Sequence, residues 1–134
     1  MSVQYTTSIN AFTGKENDYS GITTSVANTA GLVHDLSKRQ LKSIQFTCAN
    51  HTSGNGAFGI EVSNDGINWV VYNRLVTNVA NTNAQTDIRT AAPTLSTNTS
   101  AIYFFPQDDL FRYMRVFCAA TTDGTYYAQI QNAG

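Results

Sequence analysis

Charged side chains are scarce in this chain, and so are the residue types on which most catalytic and metal sites depend. Asp, Glu, Lys and Arg make up 13% of the 134 residues, whereas roughly 25% is usual for soluble domains. There are two histidines, two cysteines and one tryptophan. The formal net charge of −1 gives no basic patch of the kind that nucleic-acid binders carry. We therefore expect no nucleic-acid partner.

Long apolar stretches are also missing. No run approaches the ~18 residues that are needed to cross a bilayer, and Met1 to Asn10 has neither the basic start nor the apolar segment of a signal peptide. No stretch of ten or more residues has the i, i+3, i+4, i+7 apolar spacing of a helix. These absences predict a chain without membrane contact, synthesised in a cytosol.

The histidines, cysteines and paired carboxylates do not form a recognisable catalytic or metal motif. Neither His34 nor His51 accompanies a nucleophile motif such as G-x-S-x-G, and the four His and Cys residues fit no common zinc spacing. Asp108-Asp109 offers too few oxygens for Ca²⁺, which takes six to eight, so a solvated turn is the favoured interpretation. We predict no enzyme activity, no cofactor and no metal.

Cys48 and Cys118 lie in the middle of predicted strands, each between large apolar residues. Free buried cysteine behaves as a small hydrophobic residue, and we expect both thiols to be free. A disulfide between them is the alternative, because sequence alone does not place two strands side by side.

What the chain does contain is a β pattern rich in Thr, Asn and Ser. Ile44, Phe46 and Cys48 alternate with polar neighbours, which is the period-2 signature of a half-buried strand. About eight such strands, separated by turn residues, predict an all-β fold: one antiparallel two-sheet β-sandwich, jelly-roll-like. We expect residues 1–20 to be an N-terminal arm or an irregular first strand, and residues 21–134 to be the sandwich domain.

The clearest local signal is the hairpin formed by Asn64, Asp65, Gly66 and the strand that begins with Trp69. Asn-Asp-Gly suits a hairpin turn because glycine accepts positive φ and Asn and Asp tolerate it. We expect Trp69, beside two valines, to anchor the core rather than to lie exposed. Asp123-Gly124 predicts a second hairpin.

Aromatic and arginine side chains supply the candidate contact residues. Neighbours on a strand face opposite ways, so one of Tyr126 and Tyr127 faces solvent or a partner. We select Tyr72 and Tyr127 as candidate interface or glycan-stacking residues, since aromatics are enriched at interfaces. One of the two arginines that flank the strand, Arg112 and Arg115, is expected to pair with Glu61 or an aspartate.

Three motifs give the chain a resemblance to known proteins. They are the Val62–Trp69 segment (V-S-N-D-G-I-N-W), the Phe111–Val116 segment (F-R-Y-M-R-V) and the Thr122–Thr125 segment (T-D-G-T). Together they are similar to motifs in small β-sandwich virion proteins of tailed bacteriophages and other large DNA viruses, and more distantly to those in discoidin-type domains. The resemblance covers roughly residues 41–131.

The resemblance implies a virion structural protein, such as a capsid decoration, cement or minor capsid protein. Its expected partners are other virion proteins, the major capsid protein or copies of itself, and its expected location is the virion after synthesis in the host cytoplasm. The alternative is a carbohydrate-binding module or a receptor-binding tail or fibre domain that takes a host-surface glycan on exposed Trp69, Tyr72 or Tyr127. Discoidin domains bind glycans or phospholipids, often with a disulfide, and the strand positions of the cysteines here depart from that pattern.

Overall fold

The computed structural model describes residues 7–23, 26–38, 40–77 and 89–133. These residues form strands and turns, and none of their segments is a helix that could span a membrane. The strands are β1 (Thr7–Asn10), β2 (Ile22–Thr23), β3 (Val26–Ala30), β4 (His34–Asp35), β5 (Gln40–Ala49), β6 (Gly54–Ser63), β7 (Val70–Val71), β8 (Leu75–Thr77), β9 (Arg89–Thr90), β10 (Thr94–Leu95), β11 (Thr99–Phe104), β12 (Tyr113–Thr122) and β13 (Thr125–Ala133).

The strands form two antiparallel sheets that pack face to face. The first sheet has the order β1-β13-β5-β11-β8-β9, and β2 also pairs with β13. The second has the order β10-β6-β12-β3, with β4 paired to β12 and β7 paired to β6. The all-β, two-sheet antiparallel sandwich predicted from the alternation is therefore confirmed.

The strand pairs are nested along the chain. The β6–β7 hairpin is the innermost pair; β5 pairs with β11, β3 and β4 with β12, and β1 and β2 with β13. Such a folded ribbon, wound so that its strands alternate between two sheets, is the jelly roll. About eight strands were expected and thirteen are present in the described residues, because β1/β2 and β3/β4 are interrupted strands and β8 to β10 lie between β7 and β11.

The core lies between the sheets and is built from alternate residues of the four long strands. Ile44 and Phe46 of β5 are fully buried, as are Ile60 of β6 and Val116 of β12. The rings of Phe46 and Phe58, one from each sheet, lie 4.9 Å apart between centroids. Burial of these alternate side chains stabilises the sandwich, since fully burying a large apolar side chain is worth about 1.5–3 kcal/mol.

Residues at the N-terminal end of the described chain belong to the first sheet. Strand β1 pairs with β13, with Ile9 opposite Ile130. The fully buried Asn10 then fastens the following loop: its Nδ2 donates to the carbonyl oxygens of Asp18 (2.8 Å) and Ser20 (2.7 Å), and its Oδ1 accepts from the Phe12 amide. Residues 7–20 thus form an edge strand and an anchored loop, and residues 1–6 of the arm expected from the sequence lie outside the described residues.

The two turn signals have different outcomes. The Asn-Asp-Gly hairpin is confirmed, because β6 and β7 pair with Val62 opposite Val70. The hairpin predicted at Asp123-Gly124 is wrong, since β12 and β13 lie in different sheets. The Asp123 carboxylate accepts hydrogen bonds from the Thr52 and Ser53 amides and from the Thr52 hydroxyl, so this turn is a corner that binds the β5–β6 loop.

The cysteines are free and buried, as predicted. Cys48 belongs to the first sheet and Cys118 to the second, and no disulfide joins them. Burial raises the pKa of the Cys118 thiol to about 12. Because the thiolate is the reactive form, this thiol is inert at neutral pH.

Candidate functional site

A groove opens at the end of the sandwich where the β6–β7 hairpin turns. We call it the hairpin groove; its walls are residues 62–64, 68, 70, 72, 74 and 108–111, and its volume is about 430 Å³. One wall is the turn between β6 and β7, and the other is the connection between β11 and β12. Two segments that are far apart in sequence therefore form this site.

The turn is organised by one carboxylate. Asp65 Oδ1 accepts hydrogen bonds from the Ile67 and Asn68 amides, both at 2.8 Å, and Asp65 Oδ2 accepts from Asn68 Nδ2 at 2.8 Å. The Ser63 hydroxyl donates to Asp65 as well. Gly66 has φ of 75°, a conformation in which a side chain is strained. The structural role predicted for Asn64, Asp65 and Gly66 is thus explained by the turn itself.

Four exposed or half-exposed carboxylates have lowered pKa values, which predicts how stability depends on pH. Hydrogen bonds from Ser20 and Thr13 lower the pKa of Asp18 to about 2, and amide or side-chain donors also lower those of Asp65, Asp109 and Asp123. In the unfolded chain the pKa of an aspartate carboxyl is about 3.9. Since the folded-state values are lower, the stabilisation is complete above about pH 4 and is lost as the pH falls towards about 2.

The urea midpoint is therefore expected to be nearly constant from neutral pH to about pH 5 and to fall between about pH 4 and pH 2. Asp65→Asn should lower the midpoint at neutral pH and make the acid-side decrease shallower, because one of the four carboxylates no longer titrates. A midpoint that rises with acidification would contradict this assignment.

The second wall is held by Asp109. The Tyr72 hydroxyl donates to Asp109 Oδ2 at 2.9 Å, and Arg74 Nε donates to the same atom at 2.7 Å. Tyr72 is only 6% exposed, and burial together with this carboxylate raises the pKa of its hydroxyl. Tyr72 was selected as a candidate interface or glycan-stacking residue; the exposure that either role needs is absent, because the ring packs against Phe105 and Phe111. Nothing in the local sequence signalled the Tyr72–Asp109 bond.

Trp69 lies outside the core. Its ring is half-buried on the outer face of the second sheet, and the Arg115 guanidinium stacks over it, 4.1 Å from the centroid. Arg115 also forms an ion pair with Glu61 at 2.9 Å, which confirms the pairing expected for one of the two arginines. The expectation that Trp69 anchors the core is wrong, because the indole caps this outward ion pair instead.

The outer face of the first sheet has a patch without charged side chains on its three central strands, and the charged Lys42 of β5 lies next to this patch. Outward residues of β5 lie beside their partners on β11 and β13 in three rows. We call the nine residues the uncharged face: Phe104, Ser43 and Gln131; Ile102, Gln45 and Gln129; Ser100, Thr47 and Tyr127. Ile102 is 49% and Phe104 43% exposed.

Tyr127 is on this face, at the end of the third row. Its neighbour Tyr126 is fully buried, so the predicted division of the pair is confirmed. The ring of Tyr127 is in edge contact with that of Tyr19, 6.0 Å between centroids. Tyr127 is therefore placed where a neighbouring subunit could contact it, whereas Tyr72 is not.

The two histidines both contact main-chain oxygens. His34 is buried, with Nε2 2.9 Å from the carbonyl oxygen of Ala11, and His51 Nε2 lies 2.8 Å from that of Gly54. Within the described ranges, no three His, Cys, Asp or Glu side chains cluster as metal ligands would. The features capable of recognition are thus a polar groove and an uncharged sheet face.

Comparison of the chain with protein-family models, with curated proteins and with solved structures finds no match.

Proposed function

We propose that this chain is a structural subunit of a virus particle, most specifically a bacteriophage capsid decoration, cement or minor capsid protein, and that it acts by packing against neighbouring subunits. The observation that supports the proposal is the uncharged face: nine outward side chains on three paired strands, none of them from Asp, Glu, Lys, Arg or His. Charged residues are depleted at the centres of protein interfaces and aromatics are enriched there.

The physical argument concerns desolvation. Covering a charged side chain with another protein removes its water, and the ion pair that replaces the water seldom recovers more than that cost. Desolvation of the Ser, Thr and Gln side chains on the uncharged face costs less free energy than desolvation of a charge. Burial of Ile102 and Phe104 is favourable. The hydroxyls of Thr47 and Ser100 are already 2.9 Å apart, so the third row of the face is held in place before any contact.

A second copy of this chain, or a shell subunit with a similarly uncharged surface, fits this face. The chain's formal net charge of −1 gives little repulsion between copies. Jelly rolls occur both in viral capsids and in lectins, and the V-S-N-D-G-I-N-W hairpin resembles that of small virion sandwiches. Both are analogies at the level of fold and motif, and they agree with the packing role.

The direct experiment is to purify intact particles from the virus that encodes this chain and to quantify the chain by mass spectrometry. A structural subunit is expected in a fixed ratio to the major shell protein. Its absence from particles, or an amount that varies between preparations and is removed by washing, would reject the proposal.

Ile102→Glu should weaken assembly without unfolding the chain. The substitution places a charge at the middle row of the uncharged face, where a partner would have to desolvate it. We expect binding to particles, or self-association in analytical ultracentrifugation, to weaken by on the order of tenfold or more.

The matched control is Ile67→Glu, which makes the same chemical change at a residue that is 78% exposed in the hairpin turn. It should bind as the wild type does, and both variants should keep the wild-type circular dichroism spectrum. If the two variants lost binding equally, or if neither lost it, the uncharged face would not be the assembly contact.

A further inference from the structure

We propose that the hairpin groove binds a neutral saccharide. This inference goes beyond the packing role, because it concerns the end of the sandwich and not the outer face of the first sheet. It is based on which hydrogen-bonding groups the groove holds in place and leaves unused, on its apolar surface and on its charge.

Two asparagine side chains of the groove are each positioned by one hydrogen bond and keep a second polar group unoccupied. Asn64 Oδ1 accepts from the Arg112 amide at 3.1 Å, and Asn68 Nδ2 donates to Asp65 at 2.8 Å. Among the described residues, the Asn64 Nδ2, the Asn68 Oδ1 and the Asp108 carboxylate contact no protein partner. A ligand with closely spaced hydroxyls, each both donor and acceptor, satisfies such a mixed set. Groups that are already held in place lose little entropy on binding.

Apolar surface lies beside these polar groups. Val70 is 66% and Leu110 75% exposed, and Phe111 is held by an edge contact with the buried Tyr72, 5.4 Å between ring centroids. A pyranose ring offers C–H groups on its faces and hydroxyls at its edge. The groove therefore matches both parts of a sugar ring, whereas a purely apolar ligand would leave its amides and carboxylate unpaired at a cost.

The charge of the groove selects among saccharides. Among the residues that line the groove, Arg74 is the one cation, and it is paired with Asp109; Asp108 adds a negative charge, and the charge of Arg89 beyond the lining acts on Asp109. The lining therefore offers no unpaired cation that would bind the carboxylate of sialic or uronic acids or the phosphate of a sugar ester. Two aspartates alone also fall short of the six to eight oxygens that Ca²⁺ takes. A neutral hexose or N-acetylhexosamine is the class that remains.

The size of the groove agrees with a small ligand. Its volume of about 430 Å³ lies within the range of ligand pockets, ~300–1,000 Å³. A stable protein partner would have to cover ~800 Å² on each side, which is more than a concave site of this size presents. Glycan termini and short oligosaccharides fit within the groove.

The test is NMR titration of the isotopically labelled full chain with glucose, galactose, mannose, N-acetylglucosamine and N-acetylgalactosamine, with N-acetylneuraminate as the acidic member. At least one neutral sugar, at about 10 mM or below, should shift the amide resonances of residues 64–68 and 108–111. Asp108→Ala should weaken that binding by about tenfold or more, since it removes a charged hydrogen-bond acceptor. The fold should persist, because Asp108 makes no side-chain bond within the described ranges.

The matched control is Glu16→Ala, which removes an exposed carboxylate beside β1, outside the groove, and should leave the affinity unchanged. Three outcomes would overturn the proposal: no shift with any neutral sugar, wild-type affinity in Asp108→Ala, or tighter binding of N-acetylneuraminate than of every neutral sugar. None of these bears on the assembly role, which the Ile102→Glu experiment addresses on a different surface.

Discussion

Replacing Phe46 with alanine is expected to lower the free energy of unfolding by about 3–5 kcal/mol. Phe46 is fully buried at the middle of β5 and touches both sheets: its ring lies 4.9 Å from that of Phe58 and 5.8 Å from that of Tyr103, between centroids. Truncation leaves a cavity that the surrounding strands cannot close, because their positions are set by the ladders on both sides. Urea titration followed by circular dichroism measures the loss.

Phe104→Ala is the matched control for this substitution. Phe104 is on β11, which pairs with β5, but it points outward and is 43% exposed. Its removal should cost less than about 1 kcal/mol. If the two phenylalanines proved equally important to stability, the assignment of inner and outer faces on the first sheet would be wrong.

Gly56→Ala is the second substitution with a large expected effect, about 2–3 kcal/mol of destabilisation. Gly56 is buried on the inner face of β6, and an added Cβ would overlap the ring of Tyr126. That ring cannot move aside, since Tyr126 is fully buried and its hydroxyl donates to the Asp123 carbonyl oxygen at 2.8 Å. The loss should appear as a lower urea midpoint with an unchanged slope.

Gly59→Ala on the same strand is the control. Its added Cβ would overlap the far end of the Phe117 ring, and Phe117 is half-exposed on the outer face of β12. Because the overlap is with the far end of a side chain on the outer face, which can shift towards solvent, we expect a change within about 1 kcal/mol, partly offset by the lower entropy of the unfolded chain. If Gly59→Ala proved the more destabilising substitution, the assignment of the inner and outer faces of β6 would be wrong.

Local periodicity explains how much of this fold could be predicted. Ile44, Phe46 and Cys48 share the inner face because successive strand residues point to opposite sides, and this holds whichever strand lies beside them. The Asn-Asp-Gly turn likewise depends on hydrogen bonds within six residues, 63–68. Such features are present in the sequence as patterns, and the sandwich follows from them.

The errors concern contacts between residues that are distant in the chain. Trp69 and Arg115 are brought together by the pairing of β6 with β12, and Tyr72 is buried because Asp109 and Phe111 approach it from the β11–β12 connection. No local sequence pattern specifies these long-range contacts. The hairpin groove, formed by the same two segments, could not be predicted for the same reason.

The buried Asn10 is a polar residue whose burial the local sequence does not predict. Asparagine in a polar segment is typical of an exposed turn, yet this side chain is fully buried and makes four hydrogen bonds to the main chain. Burial of a polar group is tolerated only when its bonds are replaced, and the partners that replace them lie in the loop that follows β1. The sequence predicted an N-terminal arm or an irregular first strand for residues 1–20, and it did not indicate the anchored loop that follows β1.

The nested order of the strands has a consequence for the growing polypeptide on the ribosome. Strand β13, the final one described, occupies the place between β1 and β5, so the edges of both strands stay open until translation has passed Ala133. Open edges are sites where nascent chains pair wrongly with one another. Strand β13 therefore completes the first sheet, and a message truncated shortly before it would yield an aggregation-prone product rather than a smaller sandwich.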